Sequence, residues 1–276
     1  MKKLFLLFLP FFLFSCNSED VPQKPEKEQA EVTVWGYFVA DTNIKSDIRN
    51  NIKTMYEGLS KMDKQATLLI YWDGGSSDSY LESSPSIIRY TTDGYGNING
   101  LAARDSSYSI RFICEQAETV KAYPSQLSTD KDVMTSALKD MKSFSPTEKI
   151  VFVAGSHGSA WWKNITTSAK STRAFGQDGS NTENTITTPD MAEAIANAGV
   201  KLDLLLFDAC MMGTTEVCYD FRNVTNYMLV SALDVPAPGF PYFNIMNSLY
   251  EGTTNHYTQV AQSYINYYAT VGWGSI

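Results

Sequence analysis

From residue 32 onward, apolar runs of strand length alternate with segments whose apolar residues recur every three or four positions, the pattern of an α/β fold. Residues 32–40 are β-branched and aromatic and end at Asp41-Thr42-Asn43, a helix-capping sequence. Ile44, Ile48, Ile52, Met55, Tyr56 and Leu59 then form one helical face. Residues 66–72 predict a second strand closed by the turn Asp73-Gly74-Gly75. Residues 86–90 and 108–114 read as shorter strands flanking a glycine-containing turn at 93–97. Ser128-Thr129-Asp130 opens a helix whose face is Val133, Met134, Ala137, Leu138 and Met141. Residues 149–154 are apolar on both faces, as a central parallel strand covered by helices on both sides must be. Residues 161–188 lack periodicity and read as a long loop. A helix from Pro189 to Gly199, a strand at 202–207, a helix at 211–221 and a helical run at 257–268 complete the pattern.

The start of the chain differs in kind. Met1-Lys2-Lys3 precedes an apolar run at 4–14 that is too short to span a membrane comfortably, so residues 1–15 read as an export signal. Its end, Leu13-Phe14-Ser15-Cys16, resembles the bacterial lipobox, which implies cleavage before Cys16 and lipidation of that cysteine. Residues 16–31 are polar, contain two prolines and read as a flexible tether, leaving 32–276 as the folded domain. The expected location is that of an exported lipoprotein of the cell envelope, at the outer membrane or cell surface and held by its lipid, or that of a secreted protein if the signal is an ordinary one.

Composition narrows the function. With 22 Lys+Arg against 30 Asp+Glu the formal charge is −8, and no basic stripe exists for phosphate neutralisation, which excludes nucleic acid as a partner. Four cysteines and two histidines without CxxC, HExxH or EF-hand spacing argue against a disulfide framework, a metal site or a cofactor. Two apolar strands, however, each end in a small polar loop: Gly155-Ser156-His157-Gly158-Ser159 and Asp208-Ala209-Cys210-Met211-Met212-Gly213. Ligands of open parallel sheets bind beyond the carboxyl ends of strands, so neighbouring strands would bring His157 and Cys210 together. A thiolate at the start of the 211–221 helix would be stabilised by its N–H groups, His157 could protonate a leaving amine, and the N–H groups of Gly158 and Cys210 could hold an oxyanion. Cys114 and Cys218 read as core residues, His256 as a surface or capping residue, and Trp161-Trp162 as an edge to the site.

The blocks VFVAGSHGSAWW and LDLLLFDACMMGTTEV resemble the clostripain family of cysteine peptidases, of the caspase, gingipain and legumain group. The segments from Tyr37 to Asn43 and from Ser231 to Tyr242 resemble further blocks of that family. The resemblance implies a caspase-like α/β/α sandwich with a mostly parallel central sheet. It also implies Cys210 as nucleophile, His157 as general acid/base, and Asp208 on the wall of the pocket for the substrate's P1 side chain, with Asp234 as a second pocket candidate. Cleavage after Arg is expected, with Lys second, on protein or peptide substrates and by a monomer. Self-processing between His157 and Cys210 would fall at Lys170 or Arg173, or at Lys163. Calcium dependence occurs in some relatives, but no site for it is evident here. Ala160 stands where relatives often have Gly, and the end at Ile276 is early for the family, which suggests a fragment or a shortened member. The alternative is a catalytically silent, lipid-anchored binding protein on the same fold; acyl transfer or hydrolysis of a non-peptide amide is a third reading.

Overall fold

The computed structural model describes residues 24–75, 85–103, 109–159 and 174–271. Its strands are β1 (Val32–Val39), β2 (Ala66–Asp73), β3 (Ser86–Thr92), β4 (Asn97–Ile98), β5 (Leu101–Ala102), β6 (Glu118–Ala122), β7 (Lys149–Gly155), β8 (Ala174–Phe175), β9 (Ile186–Thr187), β10 (Leu202–Asp208) and β11 (Thr225–Leu229). Its helices are α1 (Lys45–Leu59), α2 (Ile110–Glu115), α3 (Lys131–Phe144), α4 (Thr188–Asn197), α5 (Thr215–Phe221), α6 (Tyr242–Glu251) and α7 (Thr254–Val271). The main sheet runs β11-β10-β7-β1-β2-β3-β4-β5, with β6 also paired to β3. From β11 to β2 all pairings are parallel, and β3 turns the far edge antiparallel.

Alternation along β1 shows how the layers form. Val32, Val34 and Phe38 face a core shared with α1, α2, α6 and α7, whereas Trp35, Tyr37 and Val39 face one shared with α3, α4 and α5. Each side is covered because the central strands are apolar on both faces, and burying side chains of this size stabilises by roughly 1.5–3 kcal/mol apiece. The result is the α/β/α sandwich that the resemblance implied.

Several local expectations are corrected. Residues 110–115 are helical, with Ile110, Ile113 and Cys114 turned to one core at three- and four-residue steps, so buried Cys114 sits on α2 and not on a strand. The helix expected at 211–221 begins only at Thr215, capped by Thr214. On α5 Val217 and Phe221 take the buried face, which turns Cys218 outward, exposed and not in the core. The stretch read as a loop contains the β8–β9 hairpin, and α4 starts at Thr188 with Pro189 in its first turn. His256 lies in the first turn of α7, where its Nδ1 pairs with Thr253 Oγ1 at 2.7 Å.

The expected export signal, the expected lipidation site Cys16, the cleavage candidates Lys163, Lys170 and Arg173, and Ala160, Trp161 and Trp162 lie outside the described residues. Residues 28–30 already pair with Gln65 through the Ala30 N–H to Gln65 O bond (2.7 Å) and the Gln65 N–H to Glu28 O bond (2.8 Å). Among the described residues no helix is long and apolar enough to cross a membrane, and no group of three or more His, Cys, Asp or Glu side chains is arranged to hold a metal ion.

Candidate active site

β7 and β10 are hydrogen-bonded neighbours, and their ladder ends with Asp208 opposite Gly155. His157 and Cys210 each follow two residues later, so register alone lifts both above the same sheet edge. Both line one cavity of about 190 Å³, together with Ile44, Ile48, Asn51, Ser156, Asp208 and the Val235–Ala237 segment.

Cys210 is half-buried. Its sulfur accepts from the Val235 N–H at 3.4 Å and donates to the Val235 carbonyl at 3.7 Å. Burial pushes the thiol up, and the nearby carboxylates of Asp234 and Asp208 push the same way against the Val235 N–H. The expected stabilisation by a helix N-terminus is absent here, because Thr214 caps α5 four residues after Cys210. What aims the sulfur is a tight turn, with Met211 at φ 58° and its N–H bonded to Leu233 O at 3.0 Å. Glycine at 158 admits this turn: a Cβ there would lie 2.4 Å from the Cys210 carbonyl oxygen. The missing side chain thus makes room for the loop that carries Cys210.

On the opposite loop, His157 Nε2 lies 2.8 Å from Asn43 Oδ1. Burial lowers the imidazole pKa, favouring the neutral ring. Its backbone is pinned by the Gly176 N–H to His157 O bond at 2.9 Å, and Ser156 Oγ donates to Val39 O at 2.7 Å.

Asp208, at the end of β10, is buried at 8% exposure. Its Oδ2 accepts from Tyr242 OH at 2.7 Å and from Asn51 Nδ2 at 3.1 Å. Desolvation nevertheless raises the carboxyl to about 6, because burial penalises its charged form. Gly239, at φ 69°, presses on the carboxylate so closely that a Cβ would sit 2.4 Å from Oδ2. Tyr268 OH fixes that position by donating to Gly239 O at 2.6 Å. Asp234 is exposed and stands beside the thiol, outside the residues that line the cavity.

Three site residues escaped the sequence reading: Asn43, Asn51 and Tyr242. Asn51 carried a signal, since it interrupts the otherwise apolar buried face of α1 between Ile48 and Ile52. Its Oδ1 is buried and has no hydrogen-bond partner among the described residues, an arrangement that usually marks a missing donor.

The model of the clostripain family matches residues 36–273. The chain belongs to the clostripain family. It is 24% identical over 254 residues to clostripain of Hathewaya histolytica, covering 86% of this chain and 46% of that one. A secreted C11 cysteine protease from Bacteroides thetaiotaomicron, solved with an irreversible peptide inhibitor, superposes with a TM-score of 0.67 at 28% identity, over 87% of this chain and 59% of that one. An inactive zymogen C11 protease from Parabacteroides distasonis shares the fold, with a TM-score of 0.65 at 22% identity, over 89% of this chain and 60% of the zymogen. The chain therefore spans about half the length of clostripain and about three fifths of these solved relatives.

Proposed function

We propose that this clostripain-family chain is a cysteine endopeptidase that cleaves after Arg, with Lys second. Cys210 is the nucleophile and His157 its acid/base partner. The imidazole takes the thiol proton as sulfur attacks the scissile carbonyl, and the carbonyl electron pair moves to an oxyanion held by the Gly158 and Cys210 N–H groups. Collapse breaks the C–N bond, the imidazolium protonates the leaving amine, and water then hydrolyses the thioester with His157 as base. The reaction so written needs no cofactor.

The observation carrying this reading is that Asp208 lines the same cavity as His157 and Cys210 and has no cation beside it among the described residues. A guanidinium entering the cavity would supply the missing charge, and the orphan Asn51 Oδ1 would accept one of its N–H groups. Asp234, at the mouth, would add to the attraction of basic peptides. The relative described as a secreted cysteine protease supports export, and maturation would follow from a cut between His157 and Cys210. We place that cut at Lys170 or Arg173, with Lys163 as the third candidate, and attachment to the membrane at Cys16.

Fluorogenic peptides differing only at P1 test the reading. Turnover should follow Arg, then Lys, with none for Glu or Leu, and should vanish in Cys210→Ala. Equal rates across the panel would remove Asp208 from its role, and no turnover by any form of the purified chain would remove the peptidase.

A further inference from the structure

The contact between His157 and Asn43 is not used in the chemistry above. We infer that Asn43 is the positioning residue of the site: its carboxamide oxygen holds the imidazole proton on Nε2 and leaves Nδ1 as the nitrogen that exchanges protons with substrate and thiol. This inference rests on the assignment of His157 as the acid/base group.

Three observations carry it. First, the contact is 2.8 Å and involves Asn43 Oδ1, and a carboxamide oxygen accepts, so in this orientation of the carboxamide the proton lies on Nε2 and the lone pair on Nδ1. Second, both ends of the contact are fixed by backbone structure. Asn43 emerges from a turn in which the Thr42 N–H bonds Ala40 O at 2.7 Å and Thr42 Oγ1 accepts from the Ile44 N–H at 3.0 Å, with α1 following at Lys45. The His157 loop is tied to β8 and to β1 by the bonds given above. β1 and β7 are parallel neighbours with Phe38 opposite Gly155, so the two loops rise side by side from one ladder. Third, the acceptor is neutral. A carboxylate at that place would favour the imidazolium, whereas the buried ring here has its pKa lowered and stays ready to accept the thiol proton. The ionisable groups around the ring are Cys210 and Asp208 across the cavity, Asp234 beside the thiol, and Asp41 in the same turn as Asn43, paired with Lys45 at 3.5 Å.

The test uses the full chain with Asn43→Ala and Asn43→Asp, compared with Cys210→Ala and His157→Ala. Wild type should show Nε2-protonated, Nδ1-bare His157 in long-range ¹H–¹⁵N spectra, with His256 assigned by His256→Gln. Asn43→Ala should lower kcat on a P1-Arg peptide about a hundredfold, as expected for a misplaced catalytic group, with KM changed less than threefold. Asn43→Asp keeps the shape of the side chain and should move the acid limb of the kcat/KM profile upward by about one pH unit or more. An Nδ1-protonated ring in the wild type, or an Asn43→Ala enzyme with wild-type kcat and pH profile, would overturn the inference. Retained turnover in both His157→Ala and Cys210→Ala would instead overturn the proposed function. If no form turns over peptide, the spectra and the pH dependence of Cys210 alkylation in wild type and Asn43→Asp still decide the role of Asn43.

Discussion

Replacing Asp208 by Asn should stabilise the protein and cripple it at the same time. The unfolded carboxyl ionises near 3.8, while the folded one keeps its proton to about pH 6 because burial penalises the charge. Below 3.8 both states are protonated and ionisation costs nothing; as pH rises through 6 that stability is lost, and above it the full cost is present. Two pKa units at 1.36 kcal/mol each give about 3 kcal/mol at neutral pH. An Asn at 208 avoids that cost while keeping the partners: its Oδ1 can accept from Tyr242 OH, and its Nδ2 can donate to the orphan Asn51 Oδ1. The assay is urea unfolding followed by tryptophan fluorescence from pH 4 to 8, with both proteins in a Cys210→Ala background so that neither is cut. Other carboxyls titrate in both proteins and cancel in the difference. The stability difference should grow from near zero at pH 4 to about 3 kcal/mol at pH 7, equivalent to a Tm rise of about 6–10 °C for a domain of this size. With Cys210 restored, the same variant should lose at least a hundredfold in kcat/KM for P1-Arg peptides, in line with the roughly 3–5 kcal/mol lost when one partner of a buried ion pair is removed. A difference between the two proteins that stays flat with pH would refute the claim that Asp208 is a desolvated carboxylate.

Other outcomes follow from the same geometry. Tyr242→Phe removes a donor to Asp208 and should raise KM for P1-Arg peptides about tenfold, measurable by steady-state kinetics, since a hydrogen bond to a charged group is worth about 1.5–3 kcal/mol. Gly158→Ala should lower kcat by about a hundredfold with little change in far-UV circular dichroism, because its Cβ would push on the Cys210 backbone. Gly239→Ala meets both a left-handed φ and the Asp208 carboxylate, and denaturant midpoints should report about 2 kcal/mol or more of destabilisation. Cys210 in the unliganded protein should alkylate with iodoacetamide more slowly than exposed Cys218 at pH 7, and Asp234→Asn should speed it, as read by peptide mass spectrometry.

What the sequence disclosed and what it concealed divide along physical lines. β1, β2, β7 and β10 were legible because buried parallel strands must be continuously apolar, and the two chemical loops were legible because they directly follow such strands. β6 and β11 were missed because edge strands are half-polar: Glu118 and Lys121 lie in one, Asn226 in the other. The true start of α5 was hidden because Met211 and Met212 extend the apolar spacing upstream of the Thr214 cap. In the candidate site, Cys210 and His157 announced themselves by residue type and position. Asn43 and Tyr242 did not, since each matters through one hydrogen bond to a partner 114 or 34 residues away, a distance that no local pattern encodes.

The adjacency of β7 and β10 bears on what a nick between them would produce. A cut between His157 and the start of β10 at Leu202 leaves one fragment with β1, β2 and β7 and another with β10, β11, α6 and α7, yet the ladder joining β7 to β10 crosses the gap. The second fragment also lays α6 against α1 of the first, and its Tyr250 OH donates to Thr67 O on β2. Neither piece could leave without stripping a two-sided core, so the nicked molecule should run as two bands under denaturing conditions and as one particle in native buffer. Chain continuity and structural continuity are separate properties here, and the sheet supplies the second without the first.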